Sequence, residues 1–536
     1  MCNFATPECV EAARDVSVRM MPKLLPCLLT ATALVARAHS AEREIPAAFG
    51  PYVHLTAKDF SESTSFSSKD KIVGTYFFYW YDSHTKAHIV DDDGTDALTT
   101  HPPTLQDFSY KSVRWHKRQL ADMEVAGIDV ALMVFWGSPA EHSTNAALHW
   151  SFAGLPPLIL AREELVSEGR KPPRIGLFYD TSTLQHNHWH YRADLTTDFG
   201  RKFFHGTVRD FYSCVPPKHW AMVDGKPIVL LYSPSFAKRW DQSFIEFTKA
   251  EFAKEFGGRE PWIAPQDAWN VKGDNTCAWG GALAFRNPGI GEIGPGYDHS
   301  AVPGRTPLVR ARDGGKFYEE SWLKFLRRPS NFVMIETWNE FHEGTDIAES
   351  KEYGRQYIGL TRKYSDLFKA GWKPPRPVGK FTGAKSISIE LGATNRETGL
   401  RQIECEDGTT SVMTQAGRQV RCVKPFGNGS RYMYFAADDS FKWEDVMNAG
   451  LLVGYFDAAA GRLRVEFDGT NPDAPFAGAY SRASNEVVLS GDKKWKTARF
   501  DLRGAKFLNS QNGGADLRFV GETKELIVRR VELVRE

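Results

Sequence analysis

A chain of 536 residues is long enough for two or three domains, and its 42% hydrophobic content supports a large core and excludes wholesale disorder. Basic and acidic residues balance at 67 against 66, which removes the excess of positive charge that nucleic-acid binding needs. Aromatic residues make up 13% of the chain, a content suited equally to cores and to stacking on sugar rings.

Residues 1–41 read as a leader. Lys23 precedes an apolar run over 24–36, and small residues follow at Ala36, Ala38, Ser40 and Ala41, the pattern of a secretory signal with residues 1–19 as an upstream extension. The run is too short for a membrane span, and Pro26 before Cys27 argues against a lipid anchor. The expected mature chain is a soluble monomer, secreted or periplasmic, with no stable membrane association. Four cysteines remain in it, with Cys405–Cys422 as the local candidate for a disulfide beside Cys214 and Cys277. No CxxC spacing exists, so no structural zinc is expected.

From residue 42 to 375 short apolar runs alternate with amphipathic stretches. Eight runs, at 72–79, 128–135, 174–179, 227–232, 261–265, 282–285, 292–296 and 331–338, predict strands buried on both faces of a parallel sheet. Helices are predicted at 113–126, 199–212, 244–256 and 317–328. This count and order predict an α/β fold, a (β/α)8 TIM barrel. The rival, a doubly wound open sheet, lacks its Gly-rich phosphate loop after the first strand. The Pro-rich run 372–377 marks a boundary. Beyond it, short alternating runs at 431–435, 451–456, 462–467, 496–501 and 526–533 predict a C-terminal β-sandwich over 376–536, jelly-roll-like.

The last predicted barrel strand runs into Glu336-Thr337-Trp338-Asn339-Glu340-Phe341-His342-Glu343-Gly344-Thr345-Asp346. In a barrel this strand end lies on the face that carries the active site. Glu340 and Glu343 stand three apart, so a tight turn puts both carboxylates on one side, and glycoside cleavage needs two carboxyl groups flanking one bond. Asp346 stands where a zinc-binding H-E-x-x-H would need its second His, and no G-x-S-x-G elbow is present. Asp91-Asp92-Asp93-Gly94 has the wrong phase for a calcium loop and reads as a solvated turn. His186, His188 and His190 share one face at a spacing of two but lack a fixed acidic partner. No metal and no cofactor are expected.

The run 338–345 resembles the N-E-W-H-E-G-T signature of glycoside hydrolase family 99, the endo-α-mannosidases and endo-α-mannanases. Gly294-Pro295-Gly296-Tyr297-Asp298, followed by Arg310, Arg312, Gly314, Gly315, Tyr318 and Trp322, is similar to that group's penultimate barrel segment, and the opening strand with Tyr76, Tyr79, Trp80 and Tyr81 also looks like it. The likeness covers roughly 70–370 and is specific for the wider family-99-like group of secreted bacterial proteins, the DUF5010 type. Phe341 departs from it, standing where a Trp is usual, and Glu336 and Thr337 replace a small or hydroxylated pair. The resemblance implies that Glu343 is the general acid and Glu340 the general base. Glu340 would take the proton of the sugar 2-OH, which attacks its own anomeric carbon, and water would open the 1,2-anhydro sugar with net retention. On this reading Glu343 has a raised pKa and Glu340 is ionised at rest.

Further substrate contacts are expected from strand ends: Tyr76, Trp136, Asp180, Tyr232, Asp267 and Trp269, together with Tyr297, Asp298, Trp338, Asn339 and His342 from the motifs. The C-terminal sandwich is a structural cap or a carbohydrate binder through Trp443 or Tyr480. The predicted function is endo-acting retaining hydrolysis of an α-linked, manno-configured polysaccharide or oligosaccharide. The alternatives are the same chemistry on another polysaccharide, and a non-catalytic carbohydrate-binding protein.

Overall fold

The computed structural model of the protein describes residues 44–140, 149–305, 308–405, 407–426, 429, 431–442, 446–471, 473–476 and 478–536. The leader and Trp443 lie outside the described residues.

The N-terminal region is built on a parallel sheet. Its neighbours run in the order Trp262–Pro265, Lys226–Leu231, Arg174–Tyr179, Val130–Phe135, Ile72–Phe77, Phe332–Ile335 and Gly291–Ile293, with the short strand Met222–Val223 antiparallel to Lys226–Leu231. The first strand thus pairs with the last. Every residue of the Ile72–Phe77 and Val130–Phe135 strands is buried, as continuous apolar runs require when both faces are covered.

The helices follow from local signals. Val113–Ala126 starts where the Ser112 hydroxyl accepts the Trp115 N–H at 3.2 Å, and stops where Gly127 takes the left-handed conformation (φ 83°) that its missing Cβ permits. Asp198–Cys214, Ser243–Glu255 and Lys316–Arg327 correspond to the other three predicted helices. Leu155–Ser167 and Gln356–Lys369 were not predicted. The first of these mixes apolar and charged residues with little facial segregation, so no helical stripe announces it.

One predicted strand is absent. Residues 282–285 form a turn in which Leu283 and Ala284 N–H groups donate to the Gly280 carbonyl at 2.9 and 3.0 Å. Their apolar side chains are covered by tertiary packing, which a periodicity argument cannot tell from a buried strand. Irregular backbone just upstream joins the two ends of the sheet instead. Asp274 N–H donates to Ile263 O and Cys277 N–H to Pro265 O on one side, while Ile290 N–H donates to Thr276 O on the other.

After the exposed 372–377 run the chain becomes sheet-rich. A seven-stranded sheet includes Ser386–Glu390, Met447–Phe456, Trp495–Ala505 and Ile527–Arg535, and a six-stranded sheet includes Leu400–Ile403, Tyr432–Ala437, Ala460–Phe467 and Leu517–Thr523. Alternate residues (Leu463, Val465, Phe467; Leu517, Phe519) fill a core separate from the N-terminal one. Cys405 and Cys422 are free, as are Cys214 and Cys277. The expected bridge fails because the two thiols belong to different clusters, Cys405 beside Ile403 and Tyr434, and Cys422 beside Val420 and Phe456.

The two regions meet through both polar and apolar contacts, with Leu508 packing against the N-terminal core. Arg286 donates to Ser510 O at 2.6 Å and lies over the Phe476 ring at 4.7 Å. Among the described residues no helix is long and apolar enough to cross a membrane.

Candidate active site

The last parallel strand ends at Ile335, and the next ten residues fold into a compact turn. The Thr337 hydroxyl accepts the Glu340 N–H at 2.8 Å, and Thr345 N–H donates to Glu340 O at 3.2 Å. Gly344 sits at φ 54°, and its carbonyl accepts from Arg312 at 2.9 Å. This turn places Glu340 and Glu343 on the sheet's carboxyl end, close enough that the Glu343 charge bears on Glu340.

The two carboxylates have different surroundings. Glu340 is buried, and its Oε1 lies 2.7 Å from His342 Nδ1 and 3.1 Å from the His342 N–H. Burial pushes its pKa above the ordinary carboxylate value, and the Glu343 charge adds to this; His342 pulls the other way. Glu343 pairs with the Arg305 guanidinium at 2.7 Å, with both side chains largely covered. Burial thus raises the pKa of Glu340, the carboxylate that the sequence reading expected to be ionised at rest.

Around the pair stand Asp180, Tyr232 and Tyr297, each of which feels the Glu343 charge. Asp180 is buried, accepts the Trp136 indole N–H at 2.5 Å and the Ser182 N–H at 3.0 Å, and burial raises its pKa. The Tyr297 hydroxyl lies 2.9 Å from His299 Nδ1 and 3.5 Å from Arg305. One flank is aromatic. Trp80 packs against Trp136 at 5.2 Å, Trp150 at 5.9 Å and His342 at 5.5 Å, with His88 stacked on Trp80 at 4.5 Å. Burial pushes His88 down to about 3, so it is neutral at physiological pH.

The side chains of the remaining expected contacts are engaged in the surrounding frame, although the Asp298 N–H donates to Glu343 O at 2.8 Å. Tyr76 is buried below the site, its hydroxyl 3.1 Å from Glu292 and its ring against Phe178 and Trp279. Trp269 is fully buried, donates to the Tyr232 carbonyl and packs on Trp240 and Phe244. Trp338 is also fully buried, its indole N–H donating to Gln119 at 2.7 Å. Asn339 clamps the Phe78 backbone with bonds of 2.9 and 2.7 Å. The Asp298 carboxylate caps Ser300, and Asp267 opens a short turn near Cys277. These groups hold the frame on which Glu340 and Glu343 stand.

Sequence reasoning did not select Arg305, His88, Trp150 or Trp279. The loop that carries Arg305 has no periodicity, and only its proximity to Glu343 in space marks it. Glu336 was also passed over as an active group. It is buried, accepts the Gly280 N–H at 2.8 Å and the Ala282 N–H at 3.3 Å, and burial pushes its pKa up to about 7. It thereby fixes the turn that carries Trp279, whose ring stacks on Phe178 at 5.4 Å and meets Tyr232 at 5.3 Å.

A family model described as "Domain of unknown function (DUF5010)" matches residues 56–374, and the chain belongs to that family. Over 94 residues it is 34% identical to the glycoprotein endo-alpha-1,2-mannosidase of Mus musculus and 32% identical to that of Rattus norvegicus, each match taking in 15% of this chain and 20% of the relative. The chain thus spans about a fifth of the length of these curated relatives. The solved GH99 endo-alpha-mannosidase from Bacteroides thetaiotaomicron is similar at 16% identity and a TM-score of 0.42, over 56% of this chain and 98% of that one.

Proposed function

We propose that the protein is a retaining glycoside hydrolase that cleaves α-linked, manno-configured polysaccharide from within the chain. The observation that carries this reading is the Glu340–Glu343 pair, held on one turn at the carboxyl end of the parallel sheet between an aromatic flank and Arg305. The likeness to endo-alpha-1,2-mannosidases supports the choice of sugar.

In the proposed reaction Glu340 accepts the proton of the 2-OH. Its burial suits this role, because a carboxylate with a raised pKa is a stronger base once ionised. The 2-oxygen forms a bond to the anomeric carbon as the bond to the leaving oxygen breaks, and Glu343 supplies the proton to that oxygen. Water then opens the three-membered ring, returning both carboxyl groups to their starting states. Glu343, ion-paired with Arg305 in the free protein, can act as the acid only if substrate entry breaks that pair and the carboxylate takes up a proton. His342 positions Glu340 and tempers its charge. We assign Trp136 to the wall of the sugar subsite, with the buried Trp80 and Trp150 packed behind it, and Asp180, Tyr232 and Tyr297 to the hydroxyls.

The same reading makes the N-terminal sheet a closed eight-position barrel, with the irregular 274–277 segment in the place of one strand, and the sheet-rich region from 376 a sandwich domain. The leader-like segment supports export. The test is reducing-end release from a panel of mannans and α-glucans, with Glu343→Gln beside wild type. Release by wild type that disappears in the variant supports the proposal; equal release by both moves the chemistry elsewhere.

A further inference from the structure

The outward face of the six-stranded C-terminal sheet holds a groove of about 710 Å³ that the proposed reaction does not use. Strand alternation explains its chemistry. Leu463, Val465, Leu517, Phe519 and Met433 point into the core, so Arg464, Glu466, Arg518, Val520 and Tyr432 point out. Register sets them side by side: Tyr432 opposite Val520, Val520 opposite Arg464, and Arg518 opposite Glu466.

Five basic residues line this groove (Arg431, Arg464, Arg482, Arg518 and Lys524) against two acidic ones, Glu466 and Glu522. A chain with a net charge of only +1 concentrates cations here. Both acids are already engaged, Glu466 by Arg518 at 2.7 Å and Glu522 by Arg464. Arg431 and Lys524 have no carboxylate partner among the described residues; Arg431 donates only to Gly429 O, at 3.0 Å, and its Nε is buried without an acceptor.

A solvated charged face is the plainer account, but Arg518 does not behave as one. Its guanidinium lies between the Tyr432 and Tyr480 rings at 4.1 and 4.2 Å, and it donates to Tyr434 Oη at 2.7 Å. Its position is fixed before any ligand arrives, which lowers the ordering cost of binding. Tyr480, a predicted sugar contact, is buried beneath it; the half-buried Tyr432 is the aromatic residue that the groove presents.

We propose that this groove binds an anionic polysaccharide, with uronate carboxylates or sulfate esters meeting Arg431, Lys524 and the arginine row while a sugar ring packs on Tyr432. Sugar is favoured over other polyanions because the cations flank an aromatic and apolar floor of Tyr432 and Val520 rather than forming a bare stripe. The site is independent of the barrel's reaction.

The experiment is affinity electrophoresis of the full chain through gels containing polygalacturonate, dextran sulfate, or neutral mannan and dextran, with Glu343→Gln, the double variant Arg431→Gln/Lys524→Gln, and Tyr432→Ala. Retardation by one or both charged polymers is expected, unchanged in Glu343→Gln and about tenfold weaker in the double variant. Polygalacturonate against dextran sulfate separates carboxylate from sulfate recognition. Neither Arg431 nor Lys524 belongs to the Arg518 network, so melting temperatures should match wild type. Tyr432→Ala separates sugar recognition from plain charge attraction, because only the former loses affinity. Absence of retardation in both charged gels, equal retardation in neutral gels, binding undiminished in the double variant, or equal competition by a single-stranded oligonucleotide would each overturn the proposal.

Discussion

The carboxyl end of the N-terminal parallel sheet and the groove on the C-terminal six-stranded sheet use charge in opposite ways. At the sheet end, single carboxyl groups are buried: Glu340, Asp180 and, just beneath, Glu336 and Glu292 all have pKa values raised by loss of solvent. In the groove the charges lie on an outward sheet face, where Arg518 pairs with Glu466 and Arg464 with Glu522 while Arg431 and Lys524 have no carboxylate partner among the described residues. Buried groups with shifted proton affinities suit bond making and breaking; accessible, pre-positioned cations suit recognition. Both arrangements coexist in a chain whose overall charge is almost nil.

The largest expected effect breaks the first half of that comparison. Glu340→Gln and Glu343→Gln should each lower turnover by about 10²–10⁴, the range for general acid–base groups, with melting temperatures near wild type. Next in size is a stability effect. Glu336 ionises at about 7 in the folded chain, against an ordinary value of 4.5. Its contribution is therefore fully present below the ordinary value and is lost as pH rises toward about 7; buried Glu292 acts in the same direction. Denaturant titrations across that window should show stability falling with pH by up to about 3 kcal/mol from Glu336 alone, and Glu336→Gln, which keeps an acceptor for Gly280, should flatten the slope.

A smaller effect sharpens the pair itself. His342 lowers the proton affinity of Glu340, so His342→Ala should move the acidic limb of the kcat/KM profile to higher pH. An unmoved limb would leave His342 a packing residue. Smallest is Trp338→Phe, which removes the indole bond to Gln119 at 2.7 Å: about 1 kcal/mol of stability with kcat unaltered. A selective loss of kcat would instead put Trp338 in contact with substrate.

Much of this frame was legible in the sequence. Fully buried parallel strands announce themselves as apolar runs, and Ser112 and Gly127 bracket a helix at the predicted residues. The strand end at Ile335 leading into Glu340 and Glu343 marked the candidate site proposed here. What the sequence did not reveal is direction and depth. Trp136 and Trp269 both follow strands and both are buried, yet the indole of one donates to the Asp180 carboxylate beside the site while that of the other donates to a backbone carbonyl and packs against Phe244. Residues 282–285 are as apolar as a strand but turn about Gly280. Arg305 meets Glu343 across 38 residues, and Arg518 meets Tyr432 across more than 80; neither contact leaves a local pattern.

The most direct test of the proposed division of labour uses a substrate that needs no protonated leaving group. An α-mannobiosyl fluoride, compared with the corresponding glycan, should release fluoride from Glu343→Gln in the first turnover at a rate approaching wild type, because fluoride departs without an acid, while Glu340→Gln remains inactive for want of the base. Equal loss in both variants, or rescue of Glu340→Gln in place of Glu343→Gln, would contradict the assignment of base and acid made here.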